Sequence, residues 1–286
     1  GFQNADVNIG NLWIGNGGIF SAARGETVID GFHATAGTAQ YVTLNLQGSP
    51  TAQFIHNNGT VHFKFTGTDA TTARFDELYD VKVTLSSASH RVNWRSNDEV
   101  GVATADQTIE ILGDLEMIVG SWRPNVETQN QIIHGRVVVA NNATMGWNYS
   151  GYTGTWTFKC LRLDSGSYYY ATSGTTKITG SDCGTTNAGY YWDNAGGNYF
   201  HNYGTVELDV TQGSQWIKNT DKDFPFWNFT LTSAGGASAR CQTPFNVENI
   251  LRIDSNTLGC DNSELNAGTI INNSTIDLGN SCGTLT

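Results

Sequence analysis

A six-residue stretch limits what this chain can fold into. His56-Asn57-Asn58-Gly59-Thr60-Val61 returns almost letter for letter as His201-Asn202-Tyr203-Gly204-Thr205-Val206, an offset of 201 − 56 = 145. Its flanks return with it. Ser21 to Gly31 reads against Tyr170 to Gly180, with Ile29 and Ile178 at 178 − 29 = 149. Val81-Lys82-Val83-Thr84-Leu85-Ser86-Ser87 reads against Trp227-Asn228-Phe229-Thr230-Leu231-Thr232-Ser233 at 227 − 81 = 146. Three matches in one order at nearly one spacing mean tandem copies of a unit. Such units bury their apolar faces on one another. The expected division is 1–157 for the first unit and 158–286 for the second, which reads as truncated at its C-terminal end.

The units are written in short extended segments. Leu12-Trp13-Ile14, Tyr41 to Leu46, Thr60 to Phe65, Val81 to Leu85, Thr108 to Leu112 and Arg136 to Val139 are β-branched or aromatic and alternate with period two. Gly, Asn, Asp and Ser between them tolerate the left-handed turns that corners require. The only helical patch is Thr72 to Tyr79. A finer rhythm runs inside each copy: Leu115 to Val119 and Arg136 to Val139 start 136 − 115 = 21 residues apart. Leu161-Arg162-Leu163-Asp164-Ser165 also resembles Leu251-Arg252-Ile253-Asp254-Ser255. Spacings near twenty suit one coil of a solenoid, which cannot bury its inward face until another coil stacks on it. The expected fold is therefore all-β, a parallel β-helix or β-solenoid. The alternative is two tandem antiparallel β-sandwich domains of about 145 residues each.

Charged residues make up 14% of the chain, and the formal charge is −11. An acidic surface repels phosphate backbones, so no nucleic-acid partner is expected. No run of 18 apolar residues is present, so no membrane span is expected. A chain that starts at Gly1 without Met and stops inside a strand-like pattern reads as a processed product or a piece of something longer. All five cysteines, Cys160, Cys183, Cys241, Cys260 and Cys282, fall in the second copy, and no C-x-x-C pair occurs. A zinc site is not expected. Cys160–Cys183 and Cys241–Cys260 are the short-range disulfide candidates, against a reading as small buried hydrophobes.

The stations Asn58-Gly59-Thr60-Val61, Gly204-Thr205-Val206, Asp114-Leu115-Glu116-Met117-Ile118, Trp227 to Leu231 and Gly268-Thr269-Ile270-Ile271-Asn272 resemble a repeat type of extracellular and virion-associated proteins. Proteins with such repeats are similar to β-helical adhesins, phage fibres and capsid-surface decorations. The resemblance implies a structural or adhesive role and carries over no catalytic residue.

Constellations that could do chemistry are sparse. Asp76, Glu77 and Asp80 cluster between Arg74 and Lys82, and Asp221 and Asp223 occupy the corresponding region of the second copy. Paired carboxylates do acid–base work on sugars, but the spacing shows no convergent pair, and a solvated loop is the plainer reading. No nucleophile elbow, phosphate loop or calcium loop is present, so no cofactor, metal or catalytic residue is assigned. His56 and His201 are equivalent by the repeat and are expected to hold a corner. The binding candidates are aromatic. In Tyr168-Tyr169-Tyr170 and Tyr190-Tyr191-Trp192, neighbours on a strand point to opposite faces, so some rings must leave the core. Tyr168, Tyr170, Tyr190, Tyr191 and Trp192 are the expected surface set, suited to stacking on sugars or to a protein interface.

The expectation is a non-enzymatic structural or adhesive repeat protein exposed outside the cell or on a virion surface, as a fibre, spike or decoration component. Its expected partners are other structural subunits and surface glycans. The alternatives are a carbohydrate-binding adhesin and a polysaccharide-degrading enzyme on a β-helix.

Overall fold

The computed structural model describes residues 5–31, 33–34, 41–46, 51–66, 70–96, 108–183, 189–209, 214–219, 224–232, 238–260 and 263–279. Asp221, Asp223 and Cys282 lie outside them. The described strands form a parallel β-helix in which the chain visits three faces in a fixed order.

The first face runs through Glu26–Ile29, Thr60–Phe63 and Asp80–Thr84. It continues through the start of Leu115–Pro124, the ends of Asn130–Val139 and Trp156–Leu163, then Tyr190–Asn194, Ser214–Asn219 and Ser238–Cys241. The second face stacks Ala70–Arg74, Arg91–Arg95, the end of Leu115–Pro124, Ala143–Met145, Tyr168–Tyr170 and Asn198–Phe200. The third stacks Thr108–Ile111, the starts of Asn130–Val139 and Trp156–Leu163, then Thr175–Ile178, Thr205–Leu208 and Phe226–Leu231. Among the described strands only His33–Ala34 pairs antiparallel, with Tyr41–Asn45. This rules out the sandwich alternative.

The core is built from columns, because each inward residue sits on its register partner one coil away. On the first face Val61, Val81, Leu115, Val137, Leu161, Trp192, Ile217 and Cys241 form one buried column. On the second, Thr71, Val92, Trp122, Met145, Tyr169 and Tyr199 do the same. Burial of each large side chain contributes about 1.5–3 kcal/mol. One polar member finds a partner across the interior: the buried Tyr169 hydroxyl lies 3.0 Å from Thr176 Oγ1 on the third face. The coil length varies, from 81 − 61 = 20 residues through 137 − 115 = 22 and 161 − 137 = 24 to 192 − 161 = 31 and 115 − 81 = 34. The twenty-residue rhythm is therefore present and stretches wherever a longer loop is inserted.

Two expectations change. Thr72 to Tyr79 is not helical: it is split between the strands Ala70–Arg74 and Glu77–Leu78. The alternating inward residues Thr71, Ala73 and Phe75 outweigh local helix preference. Second, the repeated unit recurs one face out of phase. His56 leads from Gln53–Ile55 into Thr60–Phe63 on the first face, whereas His201 leads from the second-face strand Asn198–Phe200 into Thr205–Leu208 on the third. The boundary at 157/158 falls inside the strand Trp156–Leu163, and stacking is continuous across it.

The recurring turn has the same backbone both times. Asn57 and Asn58 take φ of 49° and 60°, and Asn202 and Tyr203 take 45° and 64°. Each histidine closes its own turn: His56 Nδ1 accepts the Asn58 N–H at 3.0 Å, and His201 Nδ1 accepts the Tyr203 N–H at 2.9 Å. Each asparagine ties its corner to the coil below. Asn57 Nδ2 donates to Ala22 O at 2.8 Å and Asn202 Nδ2 to Ala171 O at 2.7 Å. The glycine that follows has no room for a side chain, since a Cβ on Gly59 or Gly204 would stand 2.1 Å from Ala23 O or Thr172 O.

Candidate functional site

The outward side chains of the second face form columns as strict as the inward ones. Tyr169 turns into the core, so Tyr168 and Tyr170 turn out, as alternation requires. Tyr170 is the register partner of Phe200, and their rings stack with centroids 4.6 Å apart. Phe200 in turn meets Phe224 at 5.1 Å, and Tyr168 lies parallel to Tyr170 at 6.5 Å. The result is a strip of rings running along the stack axis, Tyr170 and Phe200 with their faces turned to one another and Phe224 meeting Phe200 edge-on.

The strip ends at the His201 corner. The His201 ring stacks on Trp227 at 5.5 Å, and Tyr203, 64% exposed, meets the same indole edge-on at 5.1 Å. Between strip and corner lies a cleft of about 300 Å³ lined by Asn148, Phe200, Asn202, Tyr203, Phe224 and Glu248, among others. Glu248 Oε2 is 3.5 Å from His201 Nε2. Burial holds the His201 pKa below the ordinary imidazole value, an effect that Glu248 partly offsets. Because Nδ1 accepts the Tyr203 amide proton, the ring carries its proton on Nε2 and offers it toward the carboxylate. Apolar ring faces with an amide, a carboxylate and hydroxyl groups at their edges are the surface that pyranose rings need: stacking below, directional hydrogen bonds at the rim.

At its other end the outward column passes through Gly146, whose N–H donates to Trp122 O at 2.9 Å. A Cβ there would fall 2.0 Å from Tyr170 O. The neighbouring Trp147 is exposed and lies against Arg123, whose guanidinium carbon is 3.5 Å from the ring centroid.

Of the five expected aromatic residues, the structure brings only Tyr168 and Tyr170 to this strip. Tyr191 and Trp192 are corrected to core residues, each 1% exposed. A register shift between Tyr190 and Trp192 breaks the alternation, so consecutive side chains both turn inward. Trp192 packs on Tyr199 at 4.9 Å and Phe226 at 5.2 Å, and burial pushes the Tyr191 hydroxyl up to about 12. Tyr190 faces outward on the first face, where its hydroxyl donates to Gln242 Oε1 at 2.9 Å. Phe200, Tyr203, Phe224 and Trp227 were not in the expected set. Tyr203 was legible in principle, as the residue standing where the first copy has Asn58.

Cys160–Cys183 is a disulfide. Cys241 and Cys260 are both buried, with sulfurs 2.6 Å apart. The acidic cluster does not converge. Glu77 Oε1 lies 3.2 Å from His56 Nε2, whereas Asp80 accepts the Asp114 backbone N–H at 2.7 Å. Among the described residues no group of three or more His, Cys, Asp or Glu side chains is placed to hold a metal ion. No described helix is long and apolar enough to cross a membrane. Compared with family models, curated proteins and solved structures, the chain matches none.

Proposed function

We propose that this chain is a non-enzymatic scaffold of the fibre or spike type, exposed outside the cell or on a virion surface, that holds glycans on its second face. The outward column Tyr170–Phe200–Phe224 with the cleft beside it carries this reading. Half-buried rings lined up at successive coils, with the exposed Tyr168 and Tyr203 beside them, leave a continuous apolar strip that a ligand can cover. A polysaccharide lying along the axis here would meet Tyr170, Phe200 and Phe224 in turn. The disulfide fits an oxidising compartment.

Glycan-array binding followed by calorimetry tests the reading. The double variant Tyr170→Ala with Phe200→Ala should lose about tenfold or more in affinity, at about 1–3 kcal/mol per stacked ring by analogy with base stacking, while its circular dichroism stays unchanged. Binding that survives this variant, or no binding to any glycan, would remove the adhesive part of the proposal. Release of reducing ends from polysaccharide substrates would overturn its non-enzymatic part.

A further inference from the structure

Four arginines stand on the same face as the aromatic strip, at its Trp147 end. Arg74 and Arg95 are register partners on adjacent coils, and Arg91 lies on the same strand as Arg95. Arg123 is the register partner of Asn93, between them. Neighbouring coils are about 4.8 Å apart and alternate residues of a strand about 7 Å apart, so the four cations occupy a grid of roughly those dimensions.

These arginines differ from Arg136, Arg162 and Arg252, each of which reaches an aspartate at 2.7 Å. Among the described residues no carboxylate lies within ion-pair distance of Arg74, Arg91, Arg95 or Arg123. Their Nε donors, and Nη1 of Arg123, are buried and have no acceptor among the described residues. Like charges crowd one another: burial and then Arg91 lower the pKa of Arg123 to about 10, and burial and then Arg95 lower that of Arg74. Trp147 braces two of them, with Arg123 at 3.5 Å and Arg91 at 5.3 Å from its ring centroid. In a chain of formal charge −11, a grid of half-buried guanidinium groups without counter-charges among the described residues is a surface suited to anions.

We infer that this grid reads anionic groups, and that the polysaccharide on the aromatic strip is acidic, its carboxylates or sulfates seated on Arg74, Arg91, Arg95 and Arg123. The inference rests on the glycan reading above and gives it a substrate class. Carboxylate and sulfate both present pairs of acceptor oxygens that a guanidinium fork grips. A nucleic acid would offer anions too, but it has no pyranose to lie on the neighbouring aromatic rings, and a DNA oligonucleotide is included in the test.

The test is calorimetry on the full chain with oligogalacturonate, a heparin-derived sulfated oligosaccharide, a neutral oligosaccharide of equal length and a DNA oligonucleotide. The acidic sugars should bind at least about tenfold more tightly than the neutral one, and weaken about tenfold between 50 and 500 mM salt as the charges are screened. Whichever acidic sugar binds more tightly identifies the group. R95Q with R123Q should lose about 10–100-fold on the acidic sugar and nothing on the neutral one. R95K with R123K should fall between, keeping the charge and losing the fork. R74Q with R91Q provides a second readout if the first pair melts early. Equal binding of neutral and acidic sugars, glutamine variants without effect, or preference for DNA overturns the inference. So does acidic-sugar binding seen only after Asp98, Glu99 and Asp106, which follow Arg95 in sequence, are changed to their amides. If the neutral sugar binds and the acidic ones do not, the aromatic reading stands alone; if neither binds, both fall.

Discussion

The corners at His56 and His201 share a backbone and a histidine packed between an aromatic ring and a glutamate, and differ in what surrounds that histidine. Both turns run through two residues of positive φ, a histidine that accepts an amide proton within its own turn, and a glycine pressed against the coil below. At the first corner His56 stacks on Tyr79 with Glu77 nearby. At the second, His201 stacks on Trp227, Tyr203 rises into solvent and a cleft opens toward Glu248. The repeated letters are thus a device for turning the chain. What distinguishes the second corner comes from Glu248, outside the repeat, and from two replacements within it, Tyr203 where the first corner has Asn58 and Trp227 where the first copy has Val81.

The sharpest way to break this comparison is at the glycines. Gly59→Ala and Gly204→Ala should each cost about 3 kcal/mol, because the new methyl meets a backbone carbonyl that cannot move alone. Urea unfolding followed by circular dichroism should give two costs within about 0.5 kcal/mol of each other. A large loss at one site and none at the other would show that the corners only look alike.

A smaller effect separates fold from function. Tyr203 holds φ of 64°, a region a bulky side chain occupies at a cost and asparagine tolerates. Tyr203→Asn should therefore raise stability by about 1 kcal/mol while weakening glycan binding, and Asn58→Tyr should lower stability by a similar amount. If Tyr203→Asn destabilises, the ring is there for packing against Trp227 and not for a ligand.

The smallest effect is a pH dependence. Burial lowers the His201 pKa below its unfolded value of 6.5. The unfolded chain then takes up the proton first, so the stability contribution is full above 6.5 and is lost as pH falls from there through the folded value. His62, lowered by burial despite Glu26, adds the same sign in the first half of the molecule. His201→Asn keeps an acceptor for the Tyr203 amide and removes the proton uptake. The gap in urea midpoint between pH 7.5 and 5.0 should shrink in this variant; an unchanged gap would mean that His201 does not titrate on unfolding.

The period, the parallel stacking and the corners were legible because each depends on local rules: alternation, left-handed turn residues and a recurrence near twenty. Tyr168 and Tyr170 were legible for the same reason, since their strand keeps strict alternation. Tyr191 and Trp192 were not. Their inward placement comes from a register shift, and a shift is set by how neighbouring coils fit, which no local pattern records. The arginine grid was hidden for a related reason. Arg74, Arg91, Arg95 and Arg123 lie in separate segments of sequence and meet only once the register of the coils is fixed. The phase of the repeat was equally out of reach, because identical turns can be placed on any edge of a three-faced prism.

On each face the ladders join one coil to the next, so the backbone hydrogen bonds point along the length of the stack. Tension applied between its two tips would load a few rungs at a time and release the chain in instalments. A coil such as 137 to 161 holds 161 − 137 = 24 residues, roughly 80 Å of contour. One instalment is different: the Cys160–Cys183 bridge shortens it when oxidised and frees its full length when reduced.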